Sequence, residues 1–193
     1  MLISRLMNAA QGTETIDGMD DRTTPTRTLA RRLAILRQDN HTNVRLSGAD
    51  LVAFGRYPHS LGRLPHEDHV HVERSLDISS LRHSFINELS GEQKQRAFVA
   101  MVRCPDSDYI LLDEPLNSLD LRHASAAMKI LGRAAEKLGK TVVVDLHDIN
   151  FASYYSDHII AMRNGRVTKH GTSDEVIGAS PVLSSATIWS PIT

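Results

Sequence analysis

The sequence predicts an α/β fold in which helices flank a mostly parallel sheet. Two short runs, Tyr109–Leu112 and Thr141–Leu146, are apolar apart from Asp145 and have the length of buried strands. Between them, Leu121–Leu138 is predicted to be a helix that packs on the sheet. Ligand sites in such sheets lie at the carboxyl ends of the strands, so a functional site is expected there.

Length, charge and cysteine content limit the classes of protein that fit. The 193 residues suffice for one domain with a sizeable core. The net charge of −1 gives no argument for nucleic-acid binding. Cys104 is the only cysteine, which excludes an internal disulfide and fits a reducing cytosol. No apolar run approaches the about 20 residues that span a bilayer. No secretory signal is recognisable either, so we expect a soluble chain whose membrane role comes through partners.

The first forty residues predict short elements. Met1–Met7 is amphipathic and is expected to be the end of a helix that stops at Gly12. Thr13–Asp17 is predicted to be a strand, followed by a turn at Asp17 and Gly18.

A second helix is predicted to start at Pro25, with Thr24 as its cap. It continues as the basic segment Arg27–Arg32 and leads into an apolar strand, Leu33–Leu36.

Residues 42–88 differ from the rest because they are polar, helical in pattern and interrupted by Pro58 and Pro65. No cysteine supports a metal site here, and a solvated helix surface is the favoured interpretation of four histidines: His59, His66, His69 and His71. Gly91–Cys104 is then predicted to be a helix.

The last third of the chain predicts a short helix, a hairpin and a final helix. The hairpin prediction rests on Asn164-Gly165, a strong turn signal between two apolar stretches. The chain after Pro181 is serine-rich and is expected to be irregular. The predicted elements are Ile149–Tyr155 (helix), His158–Arg163 and Arg166–His170 (strands), and a helix from Thr172 or Ser173.

Charged residues follow both central strands. Asp113 and Glu114 come at the end of the first strand, and their side chains start on opposite sides because strand residues alternate. His147 ends the second strand, where an imidazole could contact a phosphate or a reacting water. Asp145 precedes His147 by two residues and faces the same side of the sheet. It either pairs with a polar group near the site or is a carboxylate that the strand tolerates without a function.

These residues, in their order and spacing, resemble the ABC-type ATPases, the nucleotide-binding subunits of ABC transporters. Leu89–Gln93 resembles the signature motif and Asp113 the Walker B aspartate. Each remaining match is a single residue: Glu114 (catalytic glutamate), Asp120 (D-loop), His147 (switch histidine) and Gln38 (Q-loop).

The resemblance implies one P-loop NTPase-like domain with an inserted helical subdomain. Residues 1–41 and 105–180 would form the RecA-like core, 42–104 the helical subdomain with the signature, and 181–193 an irregular tail. It also implies ATP and Mg²⁺ as cofactors. Glu114, His147 and Gln38 would be catalytic, with Asp113 and Gln38 at the metal. The nucleotide-binding residues would be Ser90, Gly91, Gln93 and Asp120.

The sequence departs from the family pattern at two places. The P-loop pattern G-x-x-x-x-G-K-[ST] does not occur, because Gly139-Lys140-Thr141 has Ala134 at the first glycine position and runs from helix to strand. We therefore expect that this chain lacks the N-terminal strands and the P-loop of the family and does not hydrolyse ATP by itself. Glu92 replaces the second glycine of the signature and is expected to point outward.

The resemblance also implies an importer. Leu51–His59 resembles the version found in iron–siderophore importers, although haem, cobalamin and metal-ion importers are alternatives. The implied partners are membrane permease subunits, a second ATPase subunit bound head to tail and, indirectly, a siderophore-binding protein, but no nucleic acid. The chain would lie peripherally on the cytoplasmic side of the membrane. Three other hypotheses stay open: a non-hydrolysing partner subunit, a decayed fragment, and a soluble ABC protein of DNA repair or translation.

Overall fold

Helices and strands alternate along the chain as the α/β prediction requires. The computed structural model describes residues 11–37, 46–60, 81–105, 107–116, 120–177 and 187–192. Its elements are β1 (Thr15–Ile16), β2 (Met19–Asp20), α1 (Thr26–Arg32), β3 (Leu33–Leu36), α2 (Gly48–Gly55), α3 (Tyr57–Ser60), α4 (Gly91–Arg103), β4 (Tyr109–Asp113), α5 (Leu121–Leu138), β5 (Thr141–Leu146), α6 (Ile149–Tyr155), β6 (His158–Arg163), β7 (Arg166–Thr172), α7 (Ser173–Ile177) and β8 (Thr187–Ile192).

The main sheet of the described residues has six strands in the order β3-β4-β5-β8-β6-β7. The two pairs β3–β4 and β4–β5 are parallel, with Leu33 opposite Tyr109 and Tyr109 opposite Thr141. The carboxyl ends of these three strands therefore lie at one edge of the sheet, where the sequence predicted the site.

The other half of the sheet is antiparallel. Strands β6 and β7 form the predicted hairpin, and Asn164 and Gly165 at its turn have φ of 50° and 73°, which an Asn-Gly turn favours. Strand β8 lies between β5 and β6 and runs antiparallel to both. The prediction of an irregular segment after Pro181 is therefore wrong for residues 187–192.

The core lies mainly on one face of the parallel strands. Ile110 and Leu112 of β4 and Val142 and Val144 of β5 are buried there, because alternate residues share a face. Helix α5 covers this face with fully buried side chains such as Met128. The opposite face carries a smaller cluster whose buried members are Ile16, Leu29, Leu33 and Leu111.

The described helices between β3 and β4 pack closely. A Cβ atom added at Gly55 of α2 would lie 2.1 Å from the carbonyl oxygen of Met101 in α4, so only glycine permits this approach. Both helices begin with a capping box, Ser47 with Asp50 in α2 and Ser90 with Gln93 in α4.

Helix α1 contacts one of these helices, α3, through its arginines. Arg27 donates hydrogen bonds from Nε to the carbonyl oxygen of Pro58 at 3.0 Å and from Nη2 to that of His59 at 3.3 Å. Arg31 donates from Nε to the Pro58 carbonyl oxygen at 3.2 Å. Two side chains one helical turn apart thus hold the backbone of α3.

The start of α1 differs from its prediction. Pro25 occupies the N-cap position, its side chain makes no capping hydrogen bond, and the helix begins at Thr26. The predicted cap at Thr24 is therefore wrong, because Pro25 adopts an extended conformation and its carbonyl oxygen accepts from Thr28 instead.

Several predictions fall outside the described residues. They concern Met1–Met7, Gln38, Pro65, the side chain of Glu92 and three of the four histidines, His66, His69 and His71. His59 is described, and it is partly buried in α3 rather than fully solvated. Within the described ranges, no helix combines the length and the apolar character of a membrane span.

Candidate functional site

The predicted site centres on a contact between two neighbouring strands. Glu114 follows the last residue of β4, and His147 follows the last residue of β5. The Nε2 atom of His147 lies 2.5 Å from Oε1 of Glu114, a hydrogen-bonding distance. The Glu114 side chain is 17% exposed and that of His147 is 59% exposed, so the carboxylate lies deeper than the imidazole.

The backbone of Glu114 is strained. Its φ of 47° lies in the left-handed region, which costs a non-glycine residue free energy. Such conformations cluster at functional sites because the surrounding structure must hold them in place. Here the strained turn directs the carboxylate toward His147 as the chain leaves β4.

Asp113 and Asp145 stand side by side on the two strands. The parallel register pairs them directly, so their side chains leave the same face of the sheet. Burial first, and then the nearby charge of Asp113, raise the pKa of Asp145 to about 6. Its Oδ1 atom is buried and has no hydrogen-bond partner among the described residues.

A cavity of about 230 Å³ opens beside these groups. The polar residues that line it come from the ends of β4 and β5, and the apolar ones come from the neighbouring helices. The lining residues are Glu114, Leu116, Leu121, Ala124, Asp145, Leu146, His147, Asp148 and Phe151. The contact between Glu114 and His147 therefore faces a space that a small group could enter.

The predicted signature residues lie at the N-terminus of α4, away from this lining set. The Ser90 hydroxyl accepts from the backbone N–H of Gln93, and Oε1 of Gln93 accepts from the backbone N–H of Ser90. A Cβ atom added at Gly91 would meet nothing within 4 Å in the described structure. This helix end is therefore open to an anion, which its unsatisfied N–H groups attract.

Asp120 and Asp148 each precede a helix. Asp120 is exposed directly before α5, and its carbonyl oxygen accepts from the backbone N–H of Ala124. Asp148 caps α6 by accepting from the backbone N–H groups of Asn150 and Phe151. Sequence reasoning did not assign this role to Asp148, although an aspartate just before a helix is a common cap. Gln38, predicted at the same site, lies outside the described residues.

The donor atoms at the strand ends fit a hard cation. Asp113, Glu114 and Asp145 supply carboxylate oxygens, the ligands that Mg²⁺ prefers, and the Asp145 Oδ1 atom lacks another partner within the described structure. Among the described residues, no group of three or more histidine, cysteine, aspartate or glutamate side chains is placed to hold a metal ion. Mg²⁺ can bind through one or two carboxylates and complete its shell with waters and phosphates.

Comparison with known proteins identifies the family. The petrobactin import ATP-binding protein of Bacillus subtilis (strain 168) is 47% identical over 182 residues, which cover 93% of this chain and 72% of that protein. The family model described as ABC transporter matches residues 1–117. The chain belongs to the ABC transporter ATPases. Family membership implies ATP binding, and it confirms both the resemblance and the predicted fold class.

Other members of the ABC transporter ATPases are also similar. The petrobactin import ATP-binding protein of Bacillus anthracis is 44% identical over 183 residues, 93% of this chain and 73% of its own length. The ferric enterobactin transport ATP-binding protein of Escherichia coli (strain K12) is 34% identical over 182 residues, 92% of this chain and 67% of its own length.

Solved structures agree with the fold. The structure of cbiO1 from Clostridium perfringens, described as part of an ABC transporter complex, has a TM-score of 0.79 and 26% identity. The comparison covers 92% of this chain and 72% of that one. The ATP-binding cassette MJ0796 bound to ADP and Pi has a TM-score of 0.77 at 24% identity and supports the fold alone, over 88% of this chain and 77% of its own.

Proposed function

We propose that the chain is the ATP-hydrolysing subunit of an importer that takes up an iron(III)–siderophore complex. The observation that carries the proposal is the 2.5 Å contact between Glu114 and His147 at the ends of adjacent parallel strands. A carboxylate and an imidazole in contact, beside a cavity at this edge of the sheet, suit the cleavage of a phosphoanhydride bond by water.

Glu114 is the residue that orients the attacking water and accepts its proton. Its backbone conformation and its contact with His147 fix the carboxylate before the nucleotide arrives, which reduces the entropy cost of reaching the reactive arrangement. His147 is more exposed, so its imidazole can hold Glu114 on one side and face the γ-phosphate on the other.

Asp113 would hold the magnesium ion through one bridging water molecule rather than as a direct ligand. When bound, Mg²⁺ neutralises charge on the phosphates during transfer. Asp113 suits this position because it ends β4 beside Glu114 and on the face shared with Asp145. Gln38 stays a prediction for the same cation and for the attacking water.

The open N-terminus of α4 serves a second subunit. Ser90 and Gly91 would contact the γ-phosphate of ATP bound on a head-to-tail partner, with Gln93 holding the helix cap and Asp120 lying near the subunit boundary. The other partners are the permease subunits, which place the chain at the cytoplasmic face of the membrane, and indirectly a siderophore-binding protein. The split into a core of residues 1–41 and 105–180 and a helical subdomain of 42–104 is part of this proposal.

The names of the relatives support the cargo. Two of the similar proteins are named for petrobactin import and a third for ferric enterobactin transport. Ferric petrobactin is therefore the first substrate to test, ahead of haem, cobalamin or free metal ions.

The test uses a Bacillus subtilis strain that lacks its own petrobactin import ATP-binding protein. We expect the chain, joined to an N-terminal segment that carries a P-loop and expressed with the permease, to restore uptake of iron-loaded petrobactin. Glu114→Gln should abolish that uptake, because the amide cannot accept a proton from water. Glu88→Gln, a change at an exposed glutamate, is the matched control and should leave uptake intact. Uptake that survives Glu114→Gln would contradict the hydrolytic role.

A second candidate function is favoured by one specific observation. The N-terminus of α4 is capped and open, whereas the sequence holds no P-loop pattern. The signature residues of this chain would then contact ATP bound to a partner subunit that has a P-loop, and this chain would not hydrolyse ATP itself. In that case purified chain alone would not turn over ATP, and Gly91→Asp would abolish stimulation of the partner while Glu114→Gln would not.

A further inference from the structure

We propose that Asp145 is a second carboxylate for the divalent cation of this site, acting beside Asp113. The inference rests on the proposed function, since it concerns the same cation, but it assigns a residue outside the motifs that identify the family. Three observations carry it: the register of the two aspartates, the buried oxygen of Asp145, and its place in the wall of the cavity.

Register places the two carboxylates together. Asp113 on β4 is directly opposite Asp145 on β5, and neighbouring parallel strands are about 4.8 Å apart. Paired residues project from the same face, so the two side chains are neighbours at the carboxyl end of the sheet. This position is fixed by backbone hydrogen bonds rather than by a loop, which makes it suitable for holding an ion.

The described surroundings of Asp145 contain no group that accounts for a carboxylate at this position. Its neighbours along β5, Val143 and Val144, are apolar, and its Oδ1 atom is buried without a hydrogen-bond partner among the described residues. A buried acceptor without a partner loses its hydrogen bonds to water, so an aspartate here destabilises the fold unless something binds it. His147 lies on the same strand end, but its Nε2 atom contacts Glu114.

A cation is the ligand that this pair would take. Two ionised carboxylates on paired strand positions repel each other. A divalent cation reverses the effect, because it attracts both groups and allows both to stay ionised. Asp145 also lines the cavity beside Glu114, so a small ion that enters this cavity would reach the end of β5.

The test is a titration of the whole chain with Mn²⁺, followed by electron paramagnetic resonance and made without nucleotide. We expect Asp145→Asn to weaken Mn²⁺ binding by about tenfold, the scale of losing a supporting ligand. Asp145→Glu keeps the carboxylate and should restore most of the affinity. Asp174→Asn removes an exposed acid from the first turn of α7 and should leave the affinity unchanged.

The outcomes separate this inference from the proposed function. If Asp113→Asn weakens Mn²⁺ binding and Asp145→Asn does not, Asp145 is not a ligand while the metal role of Asp113 stands. If the unaltered chain binds no Mn²⁺ without nucleotide, the inference is overturned, and the hydrolytic role still depends on the Glu114→Gln uptake experiment. Urea unfolding of each variant checks that the affinity change does not come from loss of structure.

Discussion

Single residues at the ends of β4 and β5 determine what the site can do. Glu114 combines a left-handed backbone with a side chain that contacts His147. The sequence predicted that both residues lie at the sheet edge, because short apolar runs end just before them. It did not predict the positive φ of Glu114, since that conformation depends on how the following segment leaves the strand.

The strain at Glu114 predicts an unusual order of stabilities. Glu114→Gly should be more stable than Glu114→Ala by about 1 kcal/mol, because glycine adopts a positive φ without steric cost. Both changes remove the contact with His147, so the comparison isolates the backbone. Urea unfolding measures the difference. The control is Lys129 in the middle of α5, where glycine should instead be less stable than alanine by about 1 kcal/mol.

The raised pKa of Asp145 predicts that the free energy of unfolding falls as the pH rises. Its pKa rises from 3.8 to about 6 in the folded chain, so folding disfavours the charged form. The penalty is absent below the unfolded pKa, grows between about pH 4 and pH 6, and is complete above that range. After allowance for solvent screening it amounts to about 1 to 2 kcal/mol.

The measurement is urea unfolding of the unaltered chain and of Asp145→Asn across this range, with a chelator present. The variant should gain stability relative to the unaltered chain as the pH rises. Parallel pH profiles for the two proteins would show that Asp145 is not the group responsible.

Elements pack against one another through a few close backbone approaches. Helices α2 and α4 meet at Gly55, and the N-terminus of α4 holds the predicted signature residues. Sequence patterns predicted the helical character of this region and the start of α4 at Gly91. They could not identify Gly55 as a contact point, because its partner Met101 is distant in sequence and belongs to another helix.

This contact predicts that Gly55→Ala destabilises the chain by about 1–3 kcal/mol, since the new methyl group would overlap the carbonyl oxygen of Met101. Gly132→Ala is the matched control in α5. A Cβ atom there meets nothing within 4 Å in the described structure, so the change should stabilise by up to about 1 kcal/mol. Thermal or urea unfolding of the two variants should move in opposite directions.

At the scale of the whole molecule, the parallel half of the sheet was predictable and β8 was not. The strands β3, β4 and β5 are short apolar runs, a local sequence pattern that indicates buried strands. Strand β8 contains a proline and follows a serine-rich stretch, features that argue against a central strand. Its position comes from long-range pairing with β5 and β6, which no local pattern records.

Removal of residues 187–193 is predicted to weaken the sheet in its middle. Strand β8 is the neighbour of both β5 and β6, so its loss would leave two unpaired strand edges. We expect a lower free energy of unfolding and self-association, measured by urea unfolding and by light scattering after gel filtration. Deletion of Thr193 alone, which lies beyond β8, should change neither property. A monomeric and equally stable truncated chain would contradict the observed strand order.

The hydrogen bonds from Arg27 and Arg31 end on peptide carbonyl oxygens at Pro58 and His59. Every amino acid supplies such an oxygen, so positions 58 and 59 can change over evolutionary time without loss of the bond. The two arginines have no such freedom, because the donors are their own side chains. Positions 58 and 59 of α3 should therefore tolerate more substitutions than Arg27 and Arg31 of α1.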